Sequence, residues 1–328
     1  MKCINRKKIV TGFILFSFLL TGCGRQKAFS LPYEADVASS AYSVMEGDSG
    51  SIADSFAGNL CVVNDNVNLK NVQITGSECA GLFDLNQKEV LYALNVHKQM
   101  NPASLTKIMT ALLLLENAQL DDVITVTANV KIDEPGAQLC GLSEGDTLTV
   151  DQAMYALLIY SANDAAVAIG EHVAGSVEKF ADMMNERAMK LGATNTHFSN
   201  PHGLTASDHY TTAYDLYLIF NEVIKYDKFK EVIHTTEYTS VYHDKNGAEK
   251  VLDFQSTNQL LISDSAYHVP DKVTVIGGKT GTTEAAGACL ILLSNDTAGN
   301  PYISVILKSD DKSVLYNNMI ELLMGITS

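Results

Sequence analysis

Three short stretches of this sequence hold residues able to do chemistry together. The first is Asn101-Pro102-Ala103-Ser104-Leu105-Thr106-Lys107. Pro102 suits a first helical turn, where its missing N–H leaves nothing unpaired, and Asn101 can cap the end, so a helix is expected to start here. Residues three apart share a helical face, which brings the Ser104 hydroxyl to the Lys107 amine. The residues Ile108, Met109, Ala111, Leu112, Leu113, Leu114 and Leu115 leave no polar face, the pattern of a helix buried inside a domain. An amine at the edge of such a helix loses hydration, which favours its neutral form, and a neutral lysine is a base. The second stretch is Ser161-Ala162-Asn163. Two residues apart, these side chains would point to different sides of a continuous helix, so joint action requires the chain to break there. The third is Gly277-Gly278-Lys279-Thr280-Gly281-Thr282-Thr283, at the end of a β-prone run. Glycines on an edge strand let another backbone approach, and a cation beside hydroxyls suits a carboxylate.

The elements that must position these groups follow from periodicity and turn chemistry. Residues 80–85 and 90–95, joined by the polar turn Asn86-Gln87-Lys88-Glu89, read as a β-hairpin that delivers the chain to Asn101. The Ser104 helix should end near Glu116-Asn117, followed by β-prone residues 123–127 and a Pro/Gly loop. Thr149-Val150-Asp151-Gln152 has capping-box spacing, and the helix it opens aims its end at Ser161. A second helical run covers 164–173. A third, 176–191, has Val177, Phe180, Ala181, Met184, Ala188 and Leu191 at helical spacing before Gly192, which makes its methionines core residues. Asn200-Pro201-His202-Gly203 lies in a loop, where a histidine more often braces the turn than reacts. A helix over 212–224 follows. After Phe229 the pattern turns to strands at 237–243, 250–254, 272–276, 288–294 and 302–308, and an amphipathic helix at 312–324 closes the chain. Strands at both ends and helices between predict an α+β fold, an antiparallel sheet flanked by helices with a helical block, roughly 116–228, inserted into it.

The 328 residues carry 23 basic and 38 acidic side chains, a net charge of −15. Lys2, Arg6, Lys7 and Lys8 precede a mostly apolar run, 9–20, too short for a membrane span and suited to a signal peptide. The run ends in Leu20-Thr21-Gly22-Cys23, which resembles the lipobox of bacterial lipoproteins and implies cleavage after residue 22 with lipid on Cys23. Loss of 1–22 leaves 19 basic against 38 acidic residues, a balance of −19 that argues against nucleic acid or anionic phospholipid as partner. Residues 23–70, rich in Ser, Asp, Asn, Gly and Ala with little periodicity, read as a flexible tether, leaving 71–328 as the folded domain. Export permits disulfides without requiring them; Cys61 with Cys79 is the candidate pair, with free thiols the alternative. Cys289, in the apolar run 285–293, reads as a small buried hydrophobe. No cysteine has metal-site spacing with histidine, and no metal or cofactor is expected.

Ser-x-x-Lys, Ser-x-Asn and Lys-Thr-Gly occur here in that order, separated by 57 and 118 residues. This trio is the signature of penicillin-binding proteins and β-lactamases. The sequence resembles the low-molecular-mass penicillin-binding proteins that act as serine D-alanyl-D-alanine carboxypeptidases. Beyond the trio, the resemblance rests on residues 103–110, Ser161-Ala162-Asn163-Asp164-Ala165-Ala166, Asn200-Pro201-His202-Gly203-Leu204 and 209–216, and spans about 76–328. Many members carry a further C-terminal β domain and an anchoring helix, which this chain is expected to lack, with lipid on Cys23 serving instead.

The resemblance implies a β-lactamase/transpeptidase-like fold and a peptidoglycan stem peptide as substrate, with β-lactams as covalent inhibitors. It implies that Ser104 attacks the carbonyl between two terminal D-alanines and forms an acyl-enzyme. Lys107 would take the proton, Ser161 would relay it to the leaving amine, and Asn163 would hold Lys107 and the substrate amide. The N–H groups of Ser104 and Thr282 would receive the oxyanion. With Arg25 and Arg187 the only arginines after the leader, the substrate carboxylate is expected to rest on Lys279, Thr280, Gly281 and Thr282. A β-lactamase shares the trio but needs a carboxylate to activate water, and Glu171, Glu178 and Glu186 are poorly placed for that. A non-catalytic protein that binds β-lactam or cell wall is the other alternative.

Overall fold

A computed structural model describes residues 57–327. The leader, Cys23 and most of the expected tether lie outside the described residues.

The chain enters the main sheet through β1 (Ser77–Asp84) and β2 (Glu89–Leu94) and returns to it through β7 (Val273–Thr283), β8 (Gly287–Asp296) and β9 (Pro301–Ser309). The five strands are antiparallel neighbours in the order β2-β1-β9-β8-β7, so β7 is an edge strand. Both faces of the sheet are covered. Leu290 and Leu292 of β8 and Ile306 of β9 face the closing helix α7 (Lys312–Met324) through Leu315, Met319, Leu322 and Leu323. The alternate residues Cys289, Ile291, Leu293, Val305 and Leu307 belong to the larger core shared with the inserted block. This is why β8 and β9 read as nearly unbroken apolar runs rather than alternating ones. The side chain of Asp311 caps α7 by accepting Val314 N–H.

Between β2 and β7 the chain holds six helices: α1 (Lys107–Asn117), α2 (Val150–Leu158), α3 (Asn163–Ala174), α4 (Val177–Lys190), α5 (Ala213–Val223) and α6 (Asp227–His234). The capping box expected at Thr149 and Gln152 is formed. This part of the chain also carries strands, those at 237–243 and 249–255 falling where the sequence places them and Val123–Thr125 falling within the β-prone residues 123–127. It has its own four-stranded sheet, ordered β3 (Val123–Thr125), β4 (Thr147–Thr149), β5 (Glu237–His243) and β6 (Glu249–Gln255). Only β4 was not expected, since three residues are too short to show period-two alternation, and the short helix α6 fills the stretch before the expected strand at 237–243.

Four further expectations are corrected. The expected tether is already packed at its C-terminal end: Cys61 is fully buried, its N–H donates to Tyr217 Oη, and Val67 bridges Ala93 of β2. Cys61 and Cys79 are free buried thiols, Cys61 Sγ donating to the Asp84 carbonyl, so backbone hydrogen bonds and burial hold this segment in place of a disulfide. Met184 is fully buried, but Met189 on the same helix is 65% exposed, because it points away from the face defined by Phe180 and Met184. Asn101 caps nothing; its amide donates to the His209 carbonyl. The helix instead opens as a tight 3-10 turn, Ala103–Thr106, before α1.

Candidate active site

Ser104 sits in that 3-10 turn and Lys107 is the first residue of α1. Side chains at i and i+3 eclipse in a 3-10 turn, a closer alignment than an α-helix would give. Lys107 Nζ lies 2.9 Å from Ser104 Oγ, 2.6 Å from Asn163 Oδ1 and 2.6 Å from the His202 carbonyl oxygen. Two of these partners are oxygens that can only accept. A neutral amine has two N–H donors and one lone pair, so Asn163 and His202 take both donors and the lone pair is left facing the Ser104 hydroxyl. That is the arrangement of a base about to receive the serine proton. Burial, followed by the charge of Lys279, pulls Lys107 well below the usual lysine range, against a smaller upward pull from Asp164. No part of Lys107 reaches solvent.

The expected break in the helix is present. Ser161, between α2 and α3, has φ 67°, and Ala103, beside the nucleophile, has φ 48°. Non-glycine residues in the left-handed region cost on the order of 1–3 kcal/mol each, and such strain clusters where side-chain direction matters. The kink turns Ser161 Oγ toward Lys279 Nζ, 2.9 Å away, while Asn163 turns to Lys107. Lys279 is 1% exposed and also donates to the Thr280 carbonyl at 2.9 Å; burial lowers its pKa to about 7. It lies within β7 and not at a strand end as expected, because the strand continues to Thr283.

A cavity of about 340 Å³ opens where these elements meet, and Ser104, Ser161, Asn163, Thr280, Gly281 and Thr282 all line it. Lys107 and Lys279 stand behind the lining. Two glycines set the close approaches. A Cβ on Gly281 would lie 3.0 Å from Ser104 N, so β7 can run this near the nucleophile only without a side chain there. Gly203 has φ +89°, and a Cβ on it would lie 1.9 Å from the Ala103 carbonyl oxygen, which lets the 200–205 turn deliver the His202 carbonyl to Lys107.

Several participants were not singled out in the sequence. Lys312, the first residue of α7, lines the cavity and brings a cation to it besides the expected Lys279. Its position next to the helix cap gives no local signal; only the packing of α7 against β9, β1 and β8 brings it in. Thr257 Oγ1 lies 2.6 Å from Thr280 Oγ1 and fixes that hydroxyl. His209 is a brace: its Nε2 meets Thr106 Oγ1 at 2.8 Å, its Nδ1 accepts Ser199 N–H at 3.0 Å, and burial lowers its pKa to about 4. The His202 ring accepts Leu204 N–H, consistent with a bracing role, and burial followed by the charge of Lys107 lowers its pKa to about 3. Arg187 is spent on Glu116 and Glu222.

A serine–lysine pair buried against a kinked Ser-x-Asn turn and an edge-strand Lys-Thr-Gly is an arrangement suited to acyl transfer through the serine. Residues 66–311 match the family model described as D-alanyl-D-alanine carboxypeptidase, peptidase family S11. The chain is 36% identical over 220 residues to D-alanyl-D-alanine carboxypeptidase DacF of Bacillus subtilis, covering 65% of this chain and 53% of that one. It is 33% identical over 238 residues to DacD of Escherichia coli, covering 70% and 57%. The crystal structure of the Streptomyces K15 DD-transpeptidase superposes with a TM-score of 0.71 at 27% identity, covering 78% of this chain and 98% of that one. The chain belongs to the D-alanyl-D-alanine carboxypeptidase family and has the DD-peptidase fold. It spans about half the length of the curated relatives it matches.

Proposed function

We propose that this chain is a serine D-alanyl-D-alanine carboxypeptidase that removes the terminal D-alanine of peptidoglycan pentapeptide stems and is acylated by β-lactams. The observation that carries this reading is the buried Lys107 amine, lowered in pKa, held by Asn163 Oδ1 and the His202 carbonyl and 2.9 Å from Ser104 Oγ. Ser104 Oγ attacks the penultimate D-alanine carbonyl as its proton passes to Lys107 Nζ. The oxyanion is received by the N–H groups of Ser104 and Thr282, a kind of contact whose loss costs roughly 100- to 1000-fold in rate. The C–N bond then breaks, and Ser161, held by Lys279, gives its proton to the departing amine and regains the one taken up by Lys107, so that the serine proton leaves on the released D-alanine. Water hydrolyses the acyl-enzyme by the reverse proton path.

The substrate carboxylate is assigned to Lys312 with the Thr280 and Thr282 hydroxyls. Lys279 acts from behind, since two of its donors are already used on Ser161 and the Thr280 carbonyl. An acidic chain with one exposed cation at its cleft steers an anionic peptide end locally.

The β-lactamase alternative lacks support in the lining, which carries no carboxylate. Glu171 is held by Thr127 and Asn129, and Glu186 by Lys190. Export and lipid attachment at Cys23, placing the domain on the outer face of the cell membrane, complete the proposal. No helix among the described residues is long and apolar enough to cross a membrane. Metabolic labelling with a palmitate analogue, lost in Cys23→Ala, tests the anchor. Mass detection of a labelled penicillin adduct, present in the wild type and absent in Ser104→Ala, tests the nucleophile; an adduct that persists in Ser104→Ala overturns the assignment.

A further inference from the structure

Asp164 follows the catalytic asparagine directly, yet its side chain turns away from the cleft. It is 2% exposed and lies in the first turn of α3. Its Oδ1 accepts Cys140 N–H at 3.1 Å, Cys140 Sγ–H at 3.3 Å and Ala165 N–H at 3.0 Å. Its Oδ2 accepts Gly141 N–H at 2.8 Å and Leu142 N–H at 3.0 Å. Five donors thus converge on one carboxylate. Burial and the nearby Asp164 charge push the Cys140 thiol up, which keeps it protonated and donating. One residue earlier, Asn163 N–H donates to the Gln138 carbonyl at 2.8 Å. The segment held in this way, 138–142, continues directly from Gly136 and Ala137, which with Gln138 form one wall of the cavity containing Ser104.

Resting on the acyl-enzyme reading of Ser104, we propose that Asp164 is a positioning residue, tying the 136–142 wall of the cleft to the Ser161–Asn163 kink so that Asn163 and the wall hold one register around Lys107 and the bound peptide. The physical case is the completeness of the set. Oxygens at both ends of the carboxylate are saturated by backbone N–H groups of a loop with no regular structure of its own. Without the carboxylate the loop's N–H groups would be left unpaired in the interior at a cost of about 1–3 kcal/mol each. The carboxylate also acts through space. The charged and titratable groups around it are Cys140 from the loop, Lys107 from α1, and Lys131, Asp133 and Glu144, which line a shallow cavity beside it.

The test is Asp164→Asn, compared with Asp164→Glu and with Asp84→Asn. Asp84 is a buried carboxylate that accepts Asn86 and Gln87 N–H in the β1–β2 turn and lies outside the cleft lining, so Asp84→Asn controls for loss of stability alone. An amide at 164 must set its NH₂ against backbone N–H donors in either orientation. Acylation by a fluorescent penicillin and release of D-alanine from a D-Ala-D-Ala peptide are measured across pH. Asp164→Asn is expected to lower kcat/KM by about 100-fold, the order expected for a roughly 1 Å misplacement of positioned groups. Its acid limb should move to lower pH, since Lys107 loses its one upward pull. Asp164→Glu keeps the charge, so its limb stays in place while its rate falls, and this variant carries the test if the amide variant does not fold. The inference is overturned if Asp164→Asn acylates as fast as Asp84→Asn with its limb unmoved, or if Asp164→Glu retains full kcat/KM. A wild type that takes no penicillin at Ser104 would instead refute the reading on which the inference rests.

Discussion

Gly203→Ala should separate the geometry of the base from the stability of the fold. The added Cβ would meet the Ala103 carbonyl oxygen at 1.9 Å and Thr106 Oγ1 at 2.8 Å. Real Cβ contacts are not found under 3.0 Å, so the 200–205 turn must retreat by about 1 Å or more from the Ser104 turn. The His202 carbonyl, now 2.6 Å from Lys107 Nζ, would then leave hydrogen-bonding range. Lys107 would keep Asn163 but lose the second acceptor that fixes its lone pair on Ser104. Displacements of this size cost about 100-fold in rate, while the left-handed φ adds about 1–2 kcal/mol of strain to the fold. The assay is the second-order rate of acylation by a fluorescent penicillin, read beside urea unfolding of the same preparation. The expected result is a rate lower by about two orders of magnitude in a protein that still unfolds cooperatively. An acylation rate within about threefold of wild type would refute the argument that the turn aims the amine.

Lys312→Ala should raise KM for D-Ala-D-Ala peptides by about tenfold or more with kcat nearly kept, since it removes an exposed anchor of the carboxylate; an unchanged KM would return that role to Lys279 and the two threonines. Lys279→Ala should slow acylation and move its acid limb to higher pH, because Lys107 then loses the cation that depresses it; an unmoved limb would count against the coupling. His209 links stability to acid. Its folded pKa, about 4, lies below the unfolded value of about 6.5, so the unfolded state binds the proton first and stability falls as pH drops below 6.5. At pH 5 this amounts to about 2 kcal/mol. His209→Gln should shrink the difference in unfolding free energy between pH 7 and pH 5 by that amount, and an undiminished difference would contradict the assignment.

The chemistry of the site was more legible in the sequence than its supports. Ser104 and Lys107 could be paired from helical spacing alone, and the need for a break at Ser161 followed from its distance to Asn163. The closing helix, 312–324, was placed correctly because its alternation of apolar and polar positions is undisturbed. What stayed hidden depended on tertiary contact. Lys312 enters the cavity only because α7 packs across β9, β1 and β8. Of the second sheet, only the three-residue strand Thr147–Thr149 gave no signal, being too short to show alternation. The segment around Cys61 looked like tether because its order comes from Tyr217, Tyr214 and Asp84, each contributed by a distant part of the chain. The carboxylate of Asp164 gave no signal for the same reason, as its partners lie 22 to 24 residues away.

The central claim is that Ser104, with Lys107 as its base, hydrolyses a D-Ala-D-Ala bond. Incubating the folded protein with a stem pentapeptide ending in D-Ala-D-Ala and following the products by mass spectrometry tests it most directly. The account predicts loss of one alanine from the peptide, abolished in Ser104→Ala and strongly reduced in Lys107→Ala. Intact pentapeptide after prolonged incubation with active, penicillin-reactive protein would contradict it, as would release of D-alanine that survives the loss of Ser104.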